Sequence, residues 1–481
     1  MSQLGTTDNP LRVAIVGSGP AGFYAAESLF ADPRRIVEVD MIDRLPTPFG
    51  LVRAGVAPDH PKIKNVIRRY EKTATNDGFR FFGNVEVGRD VSIAELGERY
   101  HAVIHAYGAA TDRQLGIPGE DLPGSHPATA FVGWYNAHPD FADAEFDLGC
   151  ERAVVIGNGN VAADVARMLA LTAAELAETD TADHAIEALG SSSVREIVVL
   201  GRRGPAQAAF TNPEVRELGE MVDADIVIDP DDCELDRHSR AWLESEADIT
   251  ARRNVDIFTD FSGRAPENKN RRIFLRFLRS PVEIQGDGKV ERVIVAVNEL
   301  YLDESGALRA RDTGEREAIE RGLVLRSIGY RGTGLEGAPF DERHGTISNR
   351  AGRVTDPGSG EQVPGQYAVG WIKRGPSGVI GTNKKDAQET IDNLVADLDA
   401  GKIPQPTGTR DTPGREAQDV SRLEQLLARR RPDAVVSYQG WEAIDAAEKG
   451  RGKPQGRPRV KFCRVDEMLE ASHSGQPVGA E

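Results

Sequence analysis

The sequence predicts an α/β protein with two Rossmann-like dinucleotide-binding domains, the second inserted in the first. Three observations predict it: a strand, glycine turn and helix over residues 12–30, the same order again over 152–171, and a late strand at 366–372 without a partner in the second copy. A strand that passes through a tight turn into a helix and on to another strand is a βαβ unit. Such units build parallel sheets.

The elements follow in order. Residues 12–17 (RVAIVG) read as a short buried strand, the chain turns helical from Pro20 through residues 21–30, and 37–43 supply the next strand. The second unit has its strand at 153–156, its helix at 161–171 and its next strand at 196–200, after a long polar excursion through 173–193. Two further strands end in glycine, 102–108 (AVIHAYG) and 323–329 (LVLRSIG), and read as exits from the two units. The strand at 366–372, a glycine-rich turn and a helix from about Asn383 return the chain to the first unit. The expected domains are therefore 1–108 with 333–481, and 109–332. Residues 401–415 and the basic, glycine-rich 448–459 read as loops, and 472–481 as a disordered tail.

Composition excludes several classes. A chain of 481 residues exceeds one ordinary core. Cys150, Cys233 and Cys463 are scattered and form no C-x-x-C pair, which argues against a disulfide framework, a metal site or a redox dithiol. A net charge of -17 disfavours nucleic acid as a partner, and an acidic protein partner would need a local basic patch. No apolar run approaches the roughly 20 residues of a transmembrane segment, and the polar start lacks the layout of a secretory signal. The expected location is the cytoplasm; the oligomeric state stays open, with a monomer as the working expectation.

The first glycine motif is Gly17-Ser18-Gly19-Pro20-Ala21-Gly22. In a G-x-G-x-x-G turn the first glycine permits the bend, the second lets backbone approach a pyrophosphate, and the third lets the helix pack on the strand. Asp43 lies 21 residues beyond Gly22, where a carboxylate binds ribose hydroxyls. An NAD site competes with an FAD site on these residues alone. The second motif, better suited to the nicotinamide cofactor, assigns FAD to the first.

That second motif is Gly157-Asn158-Gly159-Asn160-Val161-Ala162. Its second strand ends in Arg202-Arg203 rather than an acid. An acid would repel a 2′-phosphate, whereas guanidinium groups grip it, so the pattern selects NADP(H) over NAD(H). The competing reading is a solvated arginine pair.

With both motifs in view, the chain resembles the adrenodoxin reductase family of NADPH:ferredoxin reductases, in particular its bacterial ferredoxin/ferredoxin-NADP reductase members. The resemblance runs from about Arg12 to Phe462. It rests on LPTPFGLVRAGVAPDHPKIK (45–64), FRFFGNVEVG (79–88), FVGWYNAHP (131–139), VVIGNGNVAADVAR (154–167), LGRRGP (200–205) and VGWIKRGPSGVIGTNKKDA (369–387). It implies FAD and NADPH as cofactors, hydride transfer from NADPH to FAD, and single-electron delivery to an iron-sulfur ferredoxin, with supply of cytochrome P450-type systems as one use.

Carried over by the resemblance, Gly19, Asp43, Leu51 and Val87 contact FAD, with Asp43 in place of the more usual glutamate. Gly370, Trp371 and the turn Gly378-Val379-Ile380 lie along the isoalloxazine. Asn158 to Val161 meet the NADP pyrophosphate, Arg202 and Arg203 the 2′-phosphate, and Glu214 the ribose or nicotinamide side. His60 falls near the flavin and, with Asp59, handles the accompanying proton. On the residues alone, His60 reads as a loop histidine bonded to backbone and Glu214 as a solvated helix residue. The helix opening near Thr382 or Asn383 is expected to aim N–H groups at the flavin N1 region. Ferredoxin docking would draw on Arg252, Arg253, Lys269, Arg271, Arg272 and Arg276, each equally readable as a solvated charge. The rival functions are a flavin monooxygenase, a flavin disulfide reductase and a noncatalytic NADP(H)-binding sensor; no metal site is expected.

Overall fold

The computed structural model describes residues 4–320, 322–407 and 423–474. The part of the expected loop beyond residue 407 and of the expected tail beyond 474 lies outside the described residues. No described helix is long and apolar enough to cross a membrane.

The first sheet has seven strands in the order Asn349–Arg350, Arg353–Thr355, Gln362–Ala368, Ala102–His105, Leu11–Val16, Val37–Ile42, Phe79–Phe82. The last five run parallel. From Leu11–Val16 the chain proceeds to one side for the next two strands and then crosses to the other for Ala102–His105. That reversal opens a crevice at the carboxyl ends of the strands, where an α/β sheet accepts a ligand.

Side chains alternate across this sheet as the pleat requires. Val13, Ile15, Val39 and Met41 enter the cluster beneath helix Pro20–Phe30, while Ala14, Val16 and Ile42 enter the opposite one. Helix Thr382–Asp399 packs beside Pro20–Phe30, so the C-terminal part of the chain completes the first layer.

The second sheet is all parallel, in the order Ser125–Pro127, Leu323–Arg326, Arg152–Ile156, Glu196–Leu200, Arg271–Arg276, Ala224–Val227. Helices cover the face that carries Ala153, Val155, Ile197 and Val199. On the other face Val154, Ile156, Val198 and Leu200 meet Ile284, Val293 and Val295 of a three-stranded antiparallel sheet, Arg279–Gln285, Arg292–Leu302 and Leu308–Glu320. The two crossings between the sheets pair as a short ribbon, Thr111–Asp112 against Tyr330–Arg331.

Four sequence expectations are corrected. The returning strand is Gln362–Ala368, because Gly370 takes φ 75° and gives its N–H to Asp386, and Trp371–Arg374 is then a helical turn. The polar excursion contains helices Ala173–Leu176 and Asp183–Gly190, the first fixed by a reciprocal Thr172–Glu175 cap. The basic stretch 448–459 starts inside helix Tyr438–Gly452, since Glu448 points inward to Arg53. Ser472 belongs to helix Val465–His473, not to a tail.

A Cβ added at Gly370 would lie 2.5 Å from Cβ of Ala21, so the returning segment touches the first glycine turn's own helix. Gly370→Ala should lower the midpoint of thermal unfolding by the equivalent of about 1–3 kcal/mol, the combined cost of overpacking and an unfavourable φ. An unchanged melt would show that the return does not bear on the first unit.

Candidate functional site

The two glycine turns have the same construction. Gly17 has φ 108°, and an added Cβ would lie 2.6 Å from the Ala106 carbonyl oxygen, so the exit strand closes over the turn. Gly157 has φ 135°, with Ser327 O at 2.1 Å from an added Cβ. Helix and strand likewise meet at Gly22, where an added Cβ would lie 2.2 Å from Gly17 O. Gly19 differs, since its added Cβ would meet only Gly50, at 4.0 Å. Space in front of Gly19 is thus left for a ligand.

Gly19 and Gly159 are the N-caps of Pro20–Phe30 and Asn160–Ala170, and neither helix start receives a side-chain cap. Uncapped N–H groups at a helix start form an anion site, and two pyrophosphates fit them. Ala21 and Ala162 are buried behind these turns. In the second turn Asn160 Oδ1 accepts from Thr211 N at 2.8 Å, and Asn158 Nδ2 is buried without a partner. An orphaned donor at that point matches a polar ligand.

The two strand ends differ in charge. Asp43 accepts from Ser18 N at 2.9 Å and Ser18 Oγ at 2.5 Å, and its second oxygen accepts from Leu45 N. It is therefore held against the first turn. Arg202 and Arg203 are exposed, and among the described residues neither side chain has a carboxylate partner. Burial, then Arg202 and Arg309 nearby, lowers the Arg203 guanidinium from its ordinary value. Crowded, unpaired cations at a strand end suit a dianion. A cleft of about 470 Å³ opens beside Arg203, walled by Phe210, Thr211 and Trp242.

The segment around the first turn is shaped by glycine at Gly50, where an added Cβ would lie 2.9 Å from Gly19 Cα. Leu51 is exposed beside it, and Val87 is buried. Trp371 donates from its indole to Ser377 O at 3.2 Å and lies 5.3 Å from the Tyr330 ring. Gly378 (φ 80°) and Val379 are exposed ahead of helix Thr382–Asp399, with Ile380 partly buried. The N–H groups of Thr382, Asn383 and Lys384 close on the carbonyls of Val379, Ile380 and Gly381. The open donors at this helix start are therefore those of Ile380 and Gly381, two residues earlier than expected.

Between the units lies an ionic junction. His60 Nε2 is 2.7 Å from Glu217, and Nδ1 is 3.8 Å from Asp164 and 3.9 Å from Glu214. Arg167 reaches Asp59 at 2.6 Å, Asp164 at 2.9 Å, Glu214 at 3.2 Å and Glu217 at 3.3 Å. His60 and Glu214 are thus neither a loop histidine bonded to backbone nor a solvated acid. Both sit buried at the meeting point of the two units. Sequence reasoning missed Asp164, Arg167 and Glu217; the available signal was the helical spacing of Asp164 and Arg167, which puts both on the face opposite the core stripe.

The docking candidates divide. Arg252, Arg253 and Arg272 are exposed, and Lys269 donates to Met221 O. Arg271 is buried against Val194 O, Ala170 O and Asp223, and Arg276 is held by Asp232 and Glu317. Arg271 and Arg272 also begin their strand, the end opposite the glycine turn. Neither Arg271 nor Arg276 is available to a partner.

Two glycine turns, each following a parallel strand and opening a helix, in units joined by an ionic junction, define a pyridine-nucleotide oxidoreductase of the two-domain flavoprotein class. The model of the pyridine nucleotide-disulphide oxidoreductase family matches residues 11–201, although all three cysteines here are unpaired. The chain is 50% identical to NADPH-ferredoxin reductase FprA of Mycobacterium leprae, over 96% of this chain and 98% of that one. It is 42% identical to the mitochondrial NADPH:adrenodoxin oxidoreductase of Salvelinus fontinalis, over 96% and 91%. A solved structure of Mycobacterium tuberculosis FprA in complex with NADPH superimposes with a TM-score of 0.89 at 49% identity, over 97% of this chain and all of that one. The chain belongs to the NADPH-ferredoxin reductase family, adrenodoxin reductase type.

Desolvation raises the Asp164 carboxyl to about 7, against the pull of Arg167 and with repulsion from Glu214. A carboxyl raised in the fold binds its proton more tightly than in the unfolded chain, so its contribution to stability is present at low pH and is lost as pH rises toward 7. Asp164→Asn should therefore gain on the parent as pH increases. Thermal melts of both at pH 5 and pH 8 should show the difference, variant minus parent, more positive at pH 8; equal differences would contradict the shift.

Proposed function

We propose that the chain is an NADPH:ferredoxin reductase that holds FAD on the turn 17–22 and NADP(H) on the turn 157–162. The observation that carries the proposal is that two glycine turns open uncapped helix starts at Gly19 and Gly159, while His60 and Asp59 of the first unit bond to Glu217 and Arg167 of the second. We assign residues 1–108 and 333–481 to the FAD domain and 109–332 to the NADP domain. The cytoplasm is its proposed location, on the strength of widely separated thiols.

FAD, when bound, supplies the chemistry that side chains lack: it takes a hydride from the nicotinamide and releases electrons singly to an iron-sulfur ferredoxin. The chain's own groups bind, orient and manage charge. Backbone N–H groups of Gly19, Ala21 and Gly22 would cradle the FAD pyrophosphate, and Asp43, already oriented by Ser18, would accept from the ribose. Asn158 to Val161 and Arg202 with Arg203 hold the other nucleotide.

At the junction, Glu214, Glu217 and Asp59 set negative charge beside the nicotinamide position, which suits a ring that becomes cationic on oxidation. His60, hydrogen-bonded to Glu217, and Asp164 hold the exchangeable protons of the crevice. The open N–H groups of Ile380 and Gly381 favour negative charge at that helix start by about 0.3–2 kcal/mol. Trp371, fixed by Ser377, walls the crevice on the side of Tyr330.

The purified protein should be yellow and should be bleached by NADPH faster than by NADH. Each charge-assisted contact to the 2′-phosphate is worth about 1.5–3 kcal/mol, so one or two give a preference of roughly tenfold to about twenty-thousandfold. Replacing Arg202 and Arg203 together with alanine should collapse that preference in steady-state kcat/KM. A preference that survives the double substitution would rule out their role.

A further inference from the structure

After helix Tyr438–Gly452 the chain turns at Gly456 (φ 71°) and runs through residues 457–464 before helix Val465–His473. This strap contributes no strand to either sheet, yet it is bonded to both units. Toward the second, Arg457, with 4% of its side chain exposed, donates to the Thr179 carbonyl at 3.1 Å and to that of Thr181, and pairs with Asp183 at 2.5 Å. Toward the first, Arg459 pairs with Asp445 at 2.6 Å, and the Phe462 N–H donates to Glu448 at 3.0 Å. Glu448, fully buried, accepts twice from Arg53, at 2.9 and 2.5 Å.

Lys461 stands between these two sets with 1% of its side chain exposed. Its Nζ lies 3.2 Å from the Arg53 carbonyl, 3.2 Å from Asn136 Oδ1 and 3.2 Å from Asp180. Asp180 also takes Lys64, at 2.7 and 2.9 Å. Arg53 lies two residues after Leu51, and Lys64 four residues after His60, so the strap grips the segment that carries both. Asn136 directly follows Tyr135, whose ring is buried next to the Asp164 side of the junction.

We propose that Lys461 is a positioning residue for hydride transfer: by joining the Arg53 carbonyl to Asn136 and Asp180, it fixes the angle at which the two nucleotide-binding units face each other. The proposal rests on the reductase reading. A buried ammonium is costly unless several oxygens meet it, so its three partners, drawn from both units, must hold their places together. The covalent link alone is the two-residue ribbon at Thr111–Asp112 and Tyr330–Arg331, along one edge. Rotation about that ribbon would misalign the reacting rings, and displacement by about 1 Å can cost on the order of a hundredfold in rate.

The test compares flavin-loaded parent, Lys461→Met and Asp180→Asn. Hydrogen exchange without NADPH should accelerate at residues 51–64 and 179–184 in Lys461→Met, with helix Pro20–Phe30 unchanged. In rapid mixing, the limiting bleaching rate per bound flavin should fall by about tenfold or more, while the NADPH dissociation constant moves less than about twofold. An unchanged limiting rate or unchanged exchange in that variant overturns the proposal. If Lys461→Met does not fold, Asp180→Asn takes the same two readouts, and a rate equal to the parent's overturns it equally. A parent that NADPH does not bleach would contradict the reductase reading instead, and the exchange comparison would still decide the role of Lys461.

Discussion

Arg167 is the group on which the junction depends. Its side chain is 3% exposed and lies within 3.3 Å of carboxylates from Asp59, Asp164, Glu214 and Glu217. Asp59 comes from the first unit and the other three from the second. Four acids this close would repel one another, and a single buried guanidinium with a fork of donors is what allows them to share one place. Neutralisation is incomplete. Asp164, desolvated by burial and repelled by Glu214 against the pull of Arg167, keeps its proton to about 7, and Glu217 retains a hydrogen bond for His60. The acid–base character of the crevice is a consequence of the same ion pairing that holds the units together.

Around that junction one device is used twice. Backbone, not side chain, shapes both glycine turns, and a carbonyl from the exit strand closes each at Gly17 and Gly157. What separates the two sites is the residue at the next strand end. Asp43 is locked to Ser18 and is proposed to read hydroxyls, whereas Arg202 and Arg203, with no carboxylate partner among the described residues, are proposed to read a phosphate. A change of charge at one position thus assigns different nucleotides to two otherwise similar folds.

Much of this was legible in the sequence for a local reason. Glycines at fixed offsets after an apolar strand have few alternatives, and Val13 to Val16 or Ala153 to Ile156 are short unbroken apolar runs that end at a glycine turn, so their strands follow from pattern. The junction was only partly legible: the resemblance pointed to Asp59, His60 and Glu214, but Asp164, Arg167 and Glu217 are polar helix residues that a periodicity argument assigns to solvent. Asp59 and Arg167 are 108 positions apart, and only packing of the two units brings them together. The strap is the extreme case. Its region was read as a basic loop, yet Glu448 and Arg53, 395 positions apart, form a buried pair that extends the preceding helix inward. Arg271 and Arg276 show the converse, since both were read as candidate surface charges and both are consumed by internal carboxylates or carbonyls.

The central claim is that two nucleotides meet at the crevice beside Arg167. A crystal structure of the flavin-loaded protein with NADP⁺ tests it most directly. The account predicts one pyrophosphate on residues 17–22, the other on 157–162, and both rings in the crevice between Trp371 and Glu214. A nucleotide bound away from either turn, or rings directed out of the crevice, would contradict it.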